Sequence, residues 1–318
     1  MAVHTLSGAE EGSWWLFFFI QGLARLAVPF FFCCTGYFIA EKGIENRAVV
    51  GAFIKKAASS YFFCSLIYIP VELIKMAGLH TLNKATLLHY FHYAIVQGSF
   101  LHLWYYPAVI ISLACLYYLL KHLPIRPVGM ICAGLYLLGL LGDGYYGLLR
   151  FLPSWCSKLM EVYQAVFLTT RNGLFFGIPF VFVGICLSKA MALKSIKSPL
   201  RWFLVTLVCG GIEIYFLRRF GIAADYNMTV FIVPATAFLF STLLNSHFKT
   251  RIDTVSLRLS SMRLYQSHLF FYGIILALFT LFELPILENR AIQFFTVWAA
   301  SQTFATFLLK KRSIKKLD

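Results

Sequence analysis

The sequence is short of charge, and acids are the scarcer kind. Asp and Glu number 13 against 28 Lys and Arg in 318 residues. Charged residues make up 13% of the chain, where a typical soluble domain carries about 25%. Too little charge is present to keep an unfolded chain solvated, which excludes disorder. Hydrophobic residues make up 60% and mean hydropathy is +0.75, more than the polar surface of a soluble globule can cover. There is no CxxC and no Cys/His metal spacing. Cys33, Cys34, Cys64, Cys115, Cys132, Cys186 and Cys209 sit in apolar runs and read as small fillers, with Cys156 alone in a predicted loop. The phosphate-cradling Gly-rich loop, GxSxG and HExxH are missing. So are a cleavable leader pattern, an internal repeat and a Gly/Ser linker.

What remains is a set of apolar runs near the ~17–25 residues that cross a bilayer. Nine are expected: Trp15–Ala40, Phe53–Ile74, Leu103–Leu120, Val128–Leu149, Gly173–Lys189, Trp202–Phe220, Asn227–Asn245, Ser261–Phe282 and Ala291–Leu309. The fold class is therefore all-α, a polytopic transmembrane helix bundle. Cations alternate across the loops between these runs. One side carries Lys42, Arg47, Lys55, Lys56, Lys121, Arg126, Lys189, Lys194, Lys197, Arg201, Lys249, Arg251, Arg258, Arg263 and the basic tail at 310–318. The other side holds fewer, from Lys75 and Lys84 to Arg290. By the positive-inside rule the C-terminus is cytoplasmic and Met1 external, in the cell membrane. The net charge of +15 then faces membrane lipid, not nucleic acid. An external start, and an opening Met1-Ala2-Val3-His4 that reads as the end of a helix, lead us to expect one more helix upstream.

Polar groups inside the runs are the informative ones. Arg25 lies about 15 Å into the first run at helical rise, near mid-bilayer, where a charge is costly and needs a partner. Gln21 sits four residues earlier on the same face. Pro29 sits four later and frees the Arg25 carbonyl. Arg25 reads either as a functional cation or as half of a structural ion pair. Glu213, at similar depth in its own run and beside Gly210 and Gly211, is a candidate for the paired acid or for a proton or substrate role. His268, within Tyr265-Gln266-Ser267-His268, must face protein or a cavity, as a site or as an interhelical bond. His80, His89, His92 and His102 lie in or beside one loop with spacing too loose for zinc, so no metal is expected. Pro179 and Pro234 interrupt two runs. Trp104, with Trp14, Trp15, Tyr105, Tyr106 and Trp202, suits an interfacial aromatic belt. Gly142-Asp143-Gly144 reads as a turn.

The stretch Gly22-Leu23-Ala24-Arg25-Leu26-Ala27-Val28-Pro29-Phe30-Phe31-Phe32, followed by Thr35-Gly36-Tyr37-Phe38-Ile39, resembles the second helix of the integral-membrane acyltransferase-3 family. His102-Leu103-Trp104-Tyr105-Tyr106-Pro107, Arg171-Asn172-Gly173-Leu174-Phe175-Phe176-Gly177 and Tyr265-Gln266-Ser267-His268 agree with it in order and spacing. The Ala-Arg-Leu-Ala-Val-Pro and Arg-Asn-Gly versions look closest to the membrane domain of the vancomycin-resistance serine racemases, a domain linked to serine uptake. The soluble racemase domain that follows there has no counterpart in these residues. His4 resembles the family's hallmark His, whose cation would lie before Met1. On this resemblance residues 1–14 are the end of a truncated first helix plus a loop, 15–309 the acyltransferase-like domain of a ten-helix fold, and 310–318 the tail.

The resemblance implies an acyltransferase that moves an acyl group, such as acetyl, from cytoplasmic acyl-CoA to a hydroxyl of an envelope glycan or lipid, with no bound cofactor. His4 would accept the hydroxyl proton or relay the acyl group. Arg25 would hold a phosphate or an oxyanion, and Arg171 would second it. Gln21, His102, Trp104, Asn172, Glu213 and His268 would line the substrate sites. Two rivals stand beside this reading. One is a transporter of a small amino acid such as serine, with Arg25 clamping its carboxylate and the prolines marking broken helices. The other is a noncatalytic membrane scaffold.

Overall fold

The computed structural model describes residues 2–6, 12–189, 197–246, 253–282 and 289–314, and every regular element among them is helical. Lys194, Lys249, Arg251, Lys315 and Lys316, five of the cations used to orient the chain, lie outside the described residues. The α-helices run in order: α1 (Ala2–Thr5), α2 (Trp14–Phe18), α3 (Ala27–Lys42), α4 (Arg47–Gly78), α5 (Lys84–Val96), α6 (Tyr105–His122), α7 (Ile125–Leu140), α8 (Ser154–Phe167), α9 (Ile178–Lys189), α10 (Pro199–Arg219), α11 (Ile232–Asn245), α12 (Thr254–Phe282) and α13 (Arg290–Ile314).

Among the described residues, four helical stretches are long and apolar enough to cross a membrane: Trp14–Lys42, Arg47–Gly78, Pro199–Arg219 and Arg290–Leu309. Three others, Ile125–Leu140, Gly173–Ser188 and Ile232–Asn245, are apolar but shorter. The all-helical class therefore stands, with four spans by length and composition among the described residues, where nine were expected of the whole chain. The expected span Val128–Leu149 is not one helix. α7 stops at Leu140, and a turn and a 3₁₀ helix at Tyr146–Phe151 follow. The Gly-rich end of that run favours turns over continued helix.

The chain divides into two compact units, Gln21–Ser246 on one hand and Met1–Ile20 with His247–Asp318 on the other. In the larger unit α3 and α9 pack backbone to backbone. A Cβ at Gly36 would collide with the Val181 carbonyl, and one at Gly184 with the Cys33 carbonyl. These two glycines let the helices approach as small residues do in membrane bundles. Around that seam sit Phe32, Phe176, Phe180, Leu113 and Val181, all fully buried. α6 packs on α4, and α11 packs on α10 and α3. Local sequence sets the helix starts. Asn46 accepts from the Ala48 amide at 2.9 Å, Asn83 accepts from the Thr86 amide at 3.0 Å, and Pro199 opens α10.

In the smaller unit α12 packs on α13, and α1 packs on α13. Phe271 and Phe304 stand 5.6 Å apart across the helix pair, and Gln302 donates to Ser260 at 3.1 Å.

Candidate functional site

The helical run bearing Arg25 is irregular where the charge sits. Phe19–Leu23 is a π-helix and Ala24–Leu26 a 3₁₀ turn, before α3 begins at Ala27. Pro29 cannot donate to the Arg25 carbonyl, so regular α-helical bonding is broken at this level. Such π segments recur at functional sites. The Arg25 guanidinium fills its fork. Nε donates to Gln21 Oε1 at 2.5 Å, Nη2 to Asp225 Oδ1 at 2.6 Å, and Nη1 to Asn227 Oδ1.

Asn227 is the hub. Its Oδ1 accepts from Arg25 and also from Arg171 Nη1 at 3.3 Å. Its Nδ2 donates to Asp225 Oδ2 at 2.5 Å and to Asp143 Oδ2 at 3.2 Å. Two guanidiniums and two carboxylates thus meet through one amide, and the formal charge sums to zero. The turn after α7 and the 221–231 loop are zipped together. Ala224 N donates to Asp143 O at 3.0 Å, Met228 N to Asp143 Oδ1 at 2.9 Å, and Gly147 N to Ile222 O at 2.7 Å. Gly144 makes this possible, since a Cβ there would strike the Met228 carbonyl.

Burial divides the cluster. Asp143 is buried, whereas the Asp225 side chain is 45% exposed against 10% for Arg25, so the cluster opens on the Asp225 side. Burial, aided by the nearby Asp225 carboxylate, raises the Asp143 carboxyl to about 6; it lies in the turn, outside any spanning helix. Burial likewise lowers Arg171, with Asp225 opposing. Arg171 lies 4.9 Å above the Trp104 ring, and its buried Nε has no hydrogen-bond partner among the described residues.

The expected site residues separate into groups. Arg25, Gln21, Arg171 and Trp104 come together. Glu213 does not pair with Arg25. Its carboxylate accepts from Tyr145 OH at 2.6 Å, Val230 N at 2.6 Å and Phe231 N at 3.0 Å, so it satisfies amides at the start of α11. It also lines an apolar cleft of about 430 Å³ with Tyr145, Cys209 and Phe216. Asn172 is a cap. It accepts from the Leu174 and Phe175 amides at 3.0 and 3.2 Å and donates to Tyr163 OH at 2.5 Å. His102 is buried, edge-on to Tyr68 at 5.1 Å. In the smaller unit His4 and His268 stand with ring centroids 5.9 Å apart, and His268 Nδ1 lies 2.8 Å from the Tyr265 carbonyl. Asp143, Asp225 and Asn227 were missed from sequence. The Gly142-Asp143-Gly144 turn was the one signal that pointed to any of them.

The chain is similar to part of three enterococcal racemases. It is 35% identical to a serine/alanine racemase of Enterococcus gallinarum over 231 residues, 70% of this chain and 32% of that protein. It is 32% identical to an amino-acid racemase of Enterococcus faecalis over 327 residues, 99% of this chain and 44% of that protein. A second amino-acid racemase of E. faecalis is 30% identical over 304 residues, 92% of this chain and 41% of that protein. The chain thus spans less than half the length of each of these relatives. No protein-family profile matches the chain, and no solved structure does.

Proposed function

We propose that the chain is a membrane carrier for a small zwitterionic amino acid of the serine/alanine class, with its binding site at the Arg25–Asn227 hub. The charge balance of that hub carries the reading. A guanidinium fork is built to grip a carboxylate, and the half-exposed Asp225 carboxylate suits an ammonium group. Arg25 and Arg171 would take the substrate carboxylate in place of Asn227 Oδ1, while Asp225 takes the amine. An acyl-CoA would bring several negative charges against Asp143 and Asp225, which a cluster of zero net charge does not favour. The π and 3₁₀ turns at 19–26 interrupt regular α-helix, in keeping with carriers whose substrates sit at irregular helices. The racemase names of the relatives point to the same substrate class. A bundle of nine runs with an external start and a cytoplasmic C-terminus is the topology we propose for it, its fourth run crossing as α7 and ending at Leu140, ahead of Asp143.

The test is counterflow of labelled serine in proteoliposomes containing the purified chain. Uptake into serine-loaded vesicles that exceeds protein-free vesicles, and that is lost in Arg25→Ala, is expected. Absence of counterflow from a folded, correctly inserted chain overturns the carrier.

A second reading, acyl transfer as in the acyltransferase-3 family, draws on the His4–His268 pair. Two imidazoles at 5.9 Å can deprotonate a hydroxyl or relay an acyl group. Here acyl-CoA is the donor and an envelope glycan or lipid the acceptor. Acetyl-CoA-dependent labelling of envelope material that disappears in His4→Ala supports it, and labelling that persists in the variant removes His4 from the chemistry. A protein that fails both assays, yet whose Arg25→Ala form keeps every cellular phenotype, is a scaffold.

A further inference from the structure

α8 is a helix that neither the span pattern nor the charged hub explains. It has 14 residues, about 21 Å at helical rise, too short for a hydrocarbon core of about 30 Å. It carries Lys158 and Glu161, and none of its residues is buried. Yet Trp155, Leu159, Val162 and Val166 are 64%, 62%, 63% and 49% exposed. Their spacing of four, three and four residues puts them on one stripe of the helix.

The helix is fastened down by its other groups. Gln164 donates to the Gly142 carbonyl at 3.1 Å, Tyr163 OH accepts from Asn172, and the Val166 carbonyl lies 2.6 Å from His92 Nε2. Gln97 donates to the Phe167 carbonyl at 3.0 Å. α5, bound to α8 through His92, is another short helix of 13 residues, with Phe91 and Ile95 likewise exposed. Lys158 on the helix, and Arg150 in the 3₁₀ helix just before it, stacked on Phe151 at 4.7 Å, are the cations of this segment.

An apolar stripe too short to span, with an indole at one end and cations at its edge, matches a helix lying in the membrane surface. The membrane is already implied by the spanning helices of the same unit, and the cations match anionic headgroups. We propose that α8 lies in the plane of the bilayer interface, its Trp155–Val166 stripe sunk into the acyl boundary of a phospholipid leaflet. Because its inner face holds the Gly142 carbonyl beside Asp143 and the Asn172 side chain beside Arg171, lipid contact on the outside positions two loops of the charged hub.

The test uses the full chain in nanodiscs of phosphatidylcholine and phosphatidylglycerol at a ratio of about 3:1, a leaflet of the mixed charge the proposal requires. Nitroxides are placed singly at 155, 159, 161, 162 and 166 in a background with the native cysteines replaced. Oxygen collision is expected to exceed that of a water-soluble nickel chelate at 155, 159, 162 and 166, and the order is expected to reverse at 161. Dominance of the nickel chelate along the stripe makes it water-facing and overturns the proposal. Low collision with both reagents makes it a protein contact and also overturns it. If the cysteine-free background fails to fold, brominated lipid in wild type and Trp155→Phe gives the same answer. The quenched component must then be smaller in the variant.

Discussion

Arg25 and Asp225 lie 200 positions apart in the chain and meet at 2.6 Å. The pair is lopsided, one partner nearly buried and the other half open. With that asymmetry the open carboxylate can change partners without unpacking the core. The guanidinium keeps its Nε bond to Gln21 meanwhile.

On the proposed carrier reading, Asp225→Asn should therefore remove the ammonium ligand at a moderate cost in stability. Asp225 is too exposed for the full penalty of a broken buried pair, and a loss of roughly 1–2 kcal/mol is expected. Thermal unfolding in detergent measures that, and serine counterflow should fall at least tenfold. The double variant Arg25→Met/Asp225→Leu should melt below wild type, because Gln21 and Asn227 lose their donor, and should show no transport. Counterflow surviving in the double variant would remove the hub from substrate binding.

Glu213→Gln separates the cap from the hub. The amide has one acceptor oxygen, whereas the carboxylate serves Tyr145, Val230 and Phe231 with two. Losing one bond at the start of α11 should cost about 1–2 kcal/mol. Serine affinity, read by scintillation proximity on the folded fraction, should be unchanged. A large affinity loss at an unchanged melting temperature would return Glu213 to the substrate site.

What the sequence revealed follows from which forces act locally. Arg25 stood out because a cation in an apolar run has no local justification, and Gln21 followed from the four-residue helical repeat. Depth along a helix is readable from residue number, but the azimuth and neighbours of that helix are not. Glu213 therefore looked like a partner and proved to be a cap. Asp225 and Asn227 sit at the boundary between two expected runs, where a polar side chain needs no explanation, so nothing marked them before folding. Asp143 was visible only through its flanking glycines, which signalled a turn but not the loop that would dock on it. Arg171 and Trp104 were proposed from a family resemblance, and their stacking became apparent only in three dimensions.

The α3–α9 seam gives a prediction about assembly. Gly36→Val places atoms against the Val181 carbonyl, which is backbone and cannot swing away. Overpacking of about 1–3 kcal/mol or more is expected, seen as a lower yield of monodisperse protein and a lower melting temperature. Gly51→Ala is the control. It lies within α4 with nothing within 4 Å of the new Cβ and should gain up to ~1 kcal/mol of helix propensity. Equal behaviour of the two variants would mean that the seam is not packed backbone to backbone.

Asp143 makes the hub pH-dependent, and the sign can be worked out. Its carboxyl is raised from 3.8 to about 6, first by burial and then by Asp225. The folded state therefore holds the proton more tightly than the unfolded one. The stability Asp143 contributes is fully present below about pH 4 and is lost as pH climbs to about 6. For binding, two guanidiniums face two carboxylates above pH 6. Below it one carboxylate is neutral, and the hub carries a net positive charge. A carboxylate without an amine, such as propionate, should then compete with labelled serine better at pH 5.5 than at pH 7.5. The gain should be on the order of tenfold, following the neutral fraction of Asp143. Asp143→Asn is neutral at every pH, so propionate should compete strongly at both values and the pH slope of unfolding should flatten. Parallel profiles for wild type and variant would assign the proton to another group.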